Sequence, residues 1–169
     1  MALDCQCPEH YPDWHRKDID LGGHCVHQLA IASFLNMPMA YEMYLGRQQL
    51  EIDRLQLAQV WPGLVLTRTG MFGGTITRLL EESGSLSRHV THLPHPFHVH
   101  GYLHQGNVGT IRNALREVQM QLLDSGRMPK ELYLCHLTCP HCSSQRGGDR
   151  ILLLRRWQYR ASLGRHRQD

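Results

Sequence analysis

The sequence predicts an α+β fold, with a mixed or antiparallel sheet packed by two to three helices in the manner of ferredoxin-like folds. A cysteine-rich β-hairpin is expected near the C-terminus. Three observations support this. At 169 residues, with 41% hydrophobic and 20% charged side chains, the chain suits one globular core. Segments alternating with period two are interspersed with segments whose apolar positions step by three and four. No apolar run approaches the roughly 20 residues that a spanning helix needs.

Residues 1–23 are rich in Pro, Asp, His and Gly and read as an irregular arm. The single domain is expected over 24–158, followed by a basic tail at 159–169. Residues 24–34 suit a strand, with Cys25, His27, Leu29 and Ile31 on one face. Pro38 fits the first position of a helix running to about Val60, with Met43, Leu50 and Leu57 a heptad apart, joined by Ile52 and Leu55. Residues 64–69 read as a strand and 75–83 as a short helix ended by Gly84. Residues 96–104 alternate as a further strand. The helix over 108–124 carries Val108, Ile111, Leu115, Val118 and Leu122 on one stripe, stopped by Gly126 and Pro129. Strands over 131–137 and 150–158 complete the order.

Between those last two strands lies Cys135-His136-Leu137-Thr138-Cys139-Pro140-His141-Cys142. Two thiolates two residues apart on a tight turn can face one ion, the knuckle geometry of structural zinc sites. Cys139 and Cys142 supply half of a four-ligand set. Cys5 and Cys7 on the arm are candidates for the other half, with Cys135 or His141 as substitutes. Zinc is the expected metal, and an iron–sulfur cluster is the alternative. The tetrapeptide Cys139-Pro140-His141-Cys142 resembles that of thioredoxin-fold thiol oxidases. Those need a helix N-terminus after the first cysteine, whereas Gly147-Gly148 and a strand follow here. The Cys-x-x-x-Cys-x-x-Cys spacing is also similar to that of radical S-adenosylmethionine enzymes. Only 27 residues follow Cys142, too few for their barrel.

Thirteen histidines are a second surplus of ligand residues. His98, His100 and His104 share a strand face with Tyr102. His98 and His100 are side by side and form a candidate second metal site, to which His27, His24 or His136 could add a ligand. Phe97-His98-Val99-His100 resembles the His-hydrophobic-His strand of HUH-type single-strand nucleases. That resemblance implies His98 and His100 as metal ligands in a ferredoxin-like fold, with Tyr41 and Tyr44 as nucleophile candidates. Gly106-Asn107-Val108-Gly109-Thr110 opens a helix but lacks the lysine and spacing of a phosphate-binding loop.

Net charge is +3, unevenly placed. Residues 150–169 hold Arg150, Arg155, Arg156, Arg160, Arg165 and Arg167 against Asp169, a balance of +5, which leaves −2 for the rest. Such a tail makes nucleic acid a candidate partner. The start, Met1-Ala2-Leu3-Asp4-Cys5, has neither a basic nor an apolar signal segment, so a cytoplasmic location with reduced cysteines is expected. The function expected is that of a small zinc-binding protein in an adaptor or regulatory role with a protein partner. A metal-dependent hydrolase or nuclease, and a nucleic-acid-binding module, are the alternatives.

Overall fold

Alternating residues prevail over helical periodicity in this chain, and the sheet accordingly dominates the fold. The computed structural model describes residues 5–160. Its strands are β1 (Asp18–Asp20), β2 (Cys25–Ile31), β3 (Ser33–Phe34), β4 (Met37–Pro38), β5 (Leu66–Thr69), β6 (Gly74–Leu79), β7 (Val90–His92), β8 (His98–Gln105), β9 (Arg127–His136) and β10 (Arg150–Tyr159). Helix α1 (Tyr41–Arg54) lies between β4 and β5, and α2 (Arg112–Asp124) between β8 and β9. Eight strands form one antiparallel, curled sheet in the order β1-β8-β10-β9-β5-β6-β2-β7, while β3 and β4 pair separately. No described helix is long and apolar enough to cross a membrane.

That order contains one arrangement twice. β2-α1-β5-β6 and β8-α2-β9-β10 are each strand–helix–strand–strand units whose last strand sits between the first two. The units meet where β5 lies beside β9, in register at Thr67 and Leu134. The short strands are exchanged: β1 precedes β2 in the chain but pairs with β8, and β7 precedes β8 but pairs with β2. The registers Asp18↔His100 and Val90↔His27 make His27 and His100 equivalent positions. Both are fully buried histidines with an unpartnered Nε2.

The curl gives the sheet two apolar faces. Its inner face holds the main core, with Val26, Leu66, Leu79, Val99, Tyr133, Cys135, Leu152 and Leu154, and the arm residues Tyr11 and Trp14 pack against it. On the outer face α1 covers Leu29, Ile31, Val65 and Ile76, and α2 covers Ile151, Leu153 and Trp157.

Several expectations need correction. The ferredoxin-like arrangement gives way to an eight-stranded sheet with only two α-helices among the described residues. Residues 75–83 are not helical: Gly74–Leu79 is a central strand between β5 and β2, where β-branched Thr75, Ile76 and Thr77 suit a pleated surface. The first helix spans 41–54 rather than 38–60, because Pro38 pairs in the β3–β4 hairpin and Gln56 takes a left-handed φ of 52°. Its expected apolar seam holds only in part. Ile52 is buried as expected, but Met43 and Leu50 face solvent and the polar Gln48 is buried instead. The stretch read as an irregular arm includes β1, which pairs along β8.

Gly101 shows how tightly that arm is held. Its N–H donates to Lys17 O at 2.9 Å and its carbonyl accepts from the Arg16 N–H at 2.8 Å. A Cβ at Gly101 would collide with the Trp14 carbonyl. Gly101→Ala is therefore expected to cost about 1–3 kcal/mol in urea unfolding and to shift Trp14 fluorescence. An unchanged urea midpoint would show that the arm yields freely.

Candidate metal centre

Strand β9 ends at His136, and the residue after it, Leu137, is buried in the main core. The chain then turns. The Cys142 and Ser143 N–H groups donate to Cys139 O at 3.1 and 3.0 Å, which folds residues 139–143 back on themselves. Gly147 and Gly148, at φ 80° and 108°, permit the reversal into β10. The arm reaches this turn from the other end of the chain. Arg146 Nη1 donates to Pro8 O at 2.7 Å, and Gly63 lies so close to Gln6 and Pro8 that a Cβ would fall 2.9–3.0 Å from their backbone.

Docking brings Cys5 and Cys7 against Cys139 and Cys142, with all four Sγ atoms within 4.8 Å of one another. Cys5 Sγ is 3.4 Å and Cys142 Sγ 3.7 Å from Cys139 Sγ. A tetrahedron with zinc–sulfur bonds of about 2.3 Å has edges of about 3.8 Å. The donor set fits a thiophilic ion, either zinc or iron. The backbone N–H of Cys142 draws the Cys139 thiol down to about 6, whereas burial pushes those of Cys5 and Cys7 up. An ion shared by these sulfurs would offset the repulsion that several neighbouring thiolates otherwise feel.

The other predicted ligands lie elsewhere. Cys135 points into the inner core, fully buried, one strand face away from the centre. His141 and His136 line a groove of about 600 Å³ beside the centre, together with Cys139, Cys5, Tyr41 and the buried Arg78. His98 and His100 share a face of β8, but each is engaged separately. His98 stacks on Trp157 with ring centroids 4.6 Å apart. His100 Nδ1 lies 2.8 Å from Asp18 Oδ1, which also accepts from Arg127. Burial would raise the Asp18 pKa, but these two partners hold it below the ordinary value.

Four strands separate β2, which carries His27, from β8 in the sheet, so His27 cannot complete a site there. His24 Nδ1 faces Leu21 O instead. Tyr41 bonds Thr67 Oγ1 at 2.5 Å and Tyr44 packs on the core under α1, both in the other half of the fold from His98 and His100. Arg155 and Arg156 belong to β10, and residues 161–169 of the expected basic tail lie outside the described residues.

Two features had no sequence signal. Arg78, 3% exposed, donates to the side-chain oxygens of Gln48, Gln49 and Gln59, with no carboxylate among these partners. Glu51 accepts from Ser87 Oγ at 2.8 Å and from His89 Nδ1 at 2.9 Å, with His27 Nε2 at 3.5 Å. All these residues are polar, and the α1 residues Gln48, Gln49 and Glu51 meet their partners on other segments only in the fold, so no periodic pattern links them.

Burial alone would raise the Glu51 pKa, but the bonds from His89 and Ser87 outweigh it and bring it from 4.5 to about 2. A carboxylate depressed in the folded state stabilises fully above its unfolded pKa. Stability should therefore fall as pH drops from about 4.5 toward 2. Glu51→Gln should flatten that slope in urea unfolding. An equal slope in both proteins would assign the acid lability to other groups.

No protein-family model matches the sequence, and no curated protein matches it. Two solved structures share its fold. The crystal structure of the EcmrR C-terminal domain aligns over 84% of this chain and 96% of its own, at 10% identity and a TM-score of 0.63. A cryo-EM structure of an EcmrR–DNA complex in EcmrR-RPo aligns over 84% of this chain and 56% of its own, at 9% identity and a TM-score of 0.58. The likeness is one of fold.

Proposed function

We propose that this chain is a regulatory domain stabilised by one zinc ion, held by the thiolates of Cys5, Cys7, Cys139 and Cys142. The convergence of the four sulfurs from opposite ends of the chain carries this reading. Four protein ligands leave no open position for water or substrate, so the ion would serve structure rather than catalysis. It would fasten the arm over the inner core. It would also fix one wall of the adjoining groove, so that metal occupancy shapes a surface open to a partner. The shared fold with a domain of EcmrR supports a regulatory role.

Metal analysis and an absorption spectrum of anaerobically purified protein test this. One zinc per chain and no visible colour are expected. A brown, iron-containing protein would replace zinc with a cluster. No metal, together with a thermal midpoint unmoved by chelator, would remove the proposal.

Nucleic-acid binding is the second reading, favoured by the arginine-rich C-terminal segment and by the fold shared with a protein seen in complex with DNA. It predicts an affinity for duplex DNA that falls steeply with salt.

A further inference from the structure

Helix α1 has two working faces. Tyr41, Glu42 and Leu45 face the groove beside the cysteines. Met43, Gly46, Arg47, Leu50, Glu51 and Arg54 line a different groove of about 780 Å³, closed on its far side by Ser87, Arg88 and His89. Its volume is in the range of small-molecule sites. Arg47, Arg88 and His89 also line the space adjoining it, along Gln28, Leu29, Ala30 and Thr75.

Three arginines meet here, and Arg47, Arg54 and Arg88 make no ion pair among the described residues, where Arg16, Arg127 and Arg156 all do. The one carboxylate in the groove is already engaged, since Ser87 and His89 hold the oxygens of Glu51. That engagement also fixes His89. An ionised carboxylate only accepts hydrogen bonds, so Nδ1 of His89 must carry the proton that bridges to Glu51. Its Nε2, at the opposite side of the ring, is left free for the groove.

His27 supports this frame from beneath. Arg78 Nε donates to Gln48 Oε1, which turns the Gln48 amide nitrogen toward His27 Nδ1 at 3.1 Å. Nδ1 must then be unprotonated, and Nε2–H faces Glu51. A metal ion on His27 Nε2 would need the reverse tautomer, with Nδ1–H pointed at an N–H₂ group. The trio His27, Glu51 and His89 is thus a polar support and not a cation site: His89 is bonded to Glu51, and His27 Nε2 lies 3.5 Å from it without a hydrogen bond. Met43 and Leu50, 60% and 72% exposed, supply apolar surface in the same groove.

We propose that the groove between α1 and residues 87–89 binds a small organic oxyanion with an apolar body. Arg47, Arg54 and Arg88 supply charge-assisted hydrogen bonds to the anionic head, beside His89, and Met43 and Leu50 cover the apolar part. This site is independent of the metal centre, because the two grooves use different residues of α1.

Titration calorimetry with octyl phosphate on the intact, metal-loaded chain tests it. Binding with one site per chain is expected, with octan-1-ol and inorganic phosphate each weaker. Replacing Arg47 and Arg88 together by Gln should weaken octyl phosphate by at least roughly 30-fold, given the strength of hydrogen bonds from charged groups. These side chains are exposed, so the thermal midpoint should not change. Arg112→Gln with Arg116→Gln on α2 should leave affinity intact. Equal losses in both pairs, equal affinity for octan-1-ol, or no binding at about 1 mM would overturn the proposal. So would duplex DNA that binds more tightly and depends on the same Arg47 and Arg88, since the groove would then be a phosphate-backbone contact.

Discussion

Replacing Cys139 and Cys142 together by Ser is expected to release the bound metal and to produce the largest loss of stability of any pair of substitutions outside the sheet and helices. Structural zinc contributes on the order of 10 kcal/mol of apparent binding energy in small domains. Only part of that should be lost here, because the inner core does not include the four ligands. The portion at stake is the closure of residues 5–14 onto the turn, a contact between positions 134 residues apart. Closing so long a loop is entropically costly without a strong link. Metal content, the thermal midpoint and the fluorescence of Trp14 should change together. Cys135→Ala is the matching control: it removes a core sulfur and should destabilise modestly while leaving metal content at the wild-type level. If Cys135→Ala lost the metal and the Ser pair kept it, the ligand set would be wrong.

Arg78→Leu should come next, at about 2–4 kcal/mol in urea unfolding. Burial lowers the Arg78 pKa, since the charge sits in the sheet with only amide oxygens as hydrogen-bond partners. Removing it strands Gln48 Oε1, on a side chain that is 0% exposed. Gln48→Leu alone should be at least as harmful, because it leaves the buried guanidinium short of an acceptor and removes the Gln48 amide bonds to the His27 and Ile76 carbonyls. The double variant should cost less than the sum of the two, since both polar partners leave together. Simple additivity in the cycle would mean that the two side chains do not depend on each other. The same variants bear on His27, whose tautomer rests on Gln48 and Arg78, so octyl phosphate binding should weaken in Gln48→Leu if that frame positions His89.

The parts of the fold legible from sequence were those with a strong local signal. Strand β2, strand β8, the second helix and the final hairpin each carry a clear period, and each formed within a few residues of its expected bounds. Gly74–Leu79 was misread because Thr75, Thr77 and Arg78 are polar residues that become buried only when β5 and β2 pair on either side. The Met43–Leu50 seam was misread for the opposite reason. Apolar spacing marks a helix, but it does not say whether the stripe will meet the sheet or a solvent-facing groove.

The cysteine turn shows the same division. Residue type and spacing alone determined that Cys139 and Cys142 could share an ion, because a tight turn forces two thiols to one side whatever surrounds it. Which other cysteines lie beside that pair was decided by tertiary structure. Strand pairing places Cys135 on the inner face, and docking of the arm through Pro8 and Gly63 carries Cys5 and Cys7 across the molecule. The groove arginines, the Glu51 support and the equivalence of His27 with His100 likewise depend on distant segments meeting. Contacts between segments arise from the sum of many pairings, and no single stretch of the chain carries their pattern.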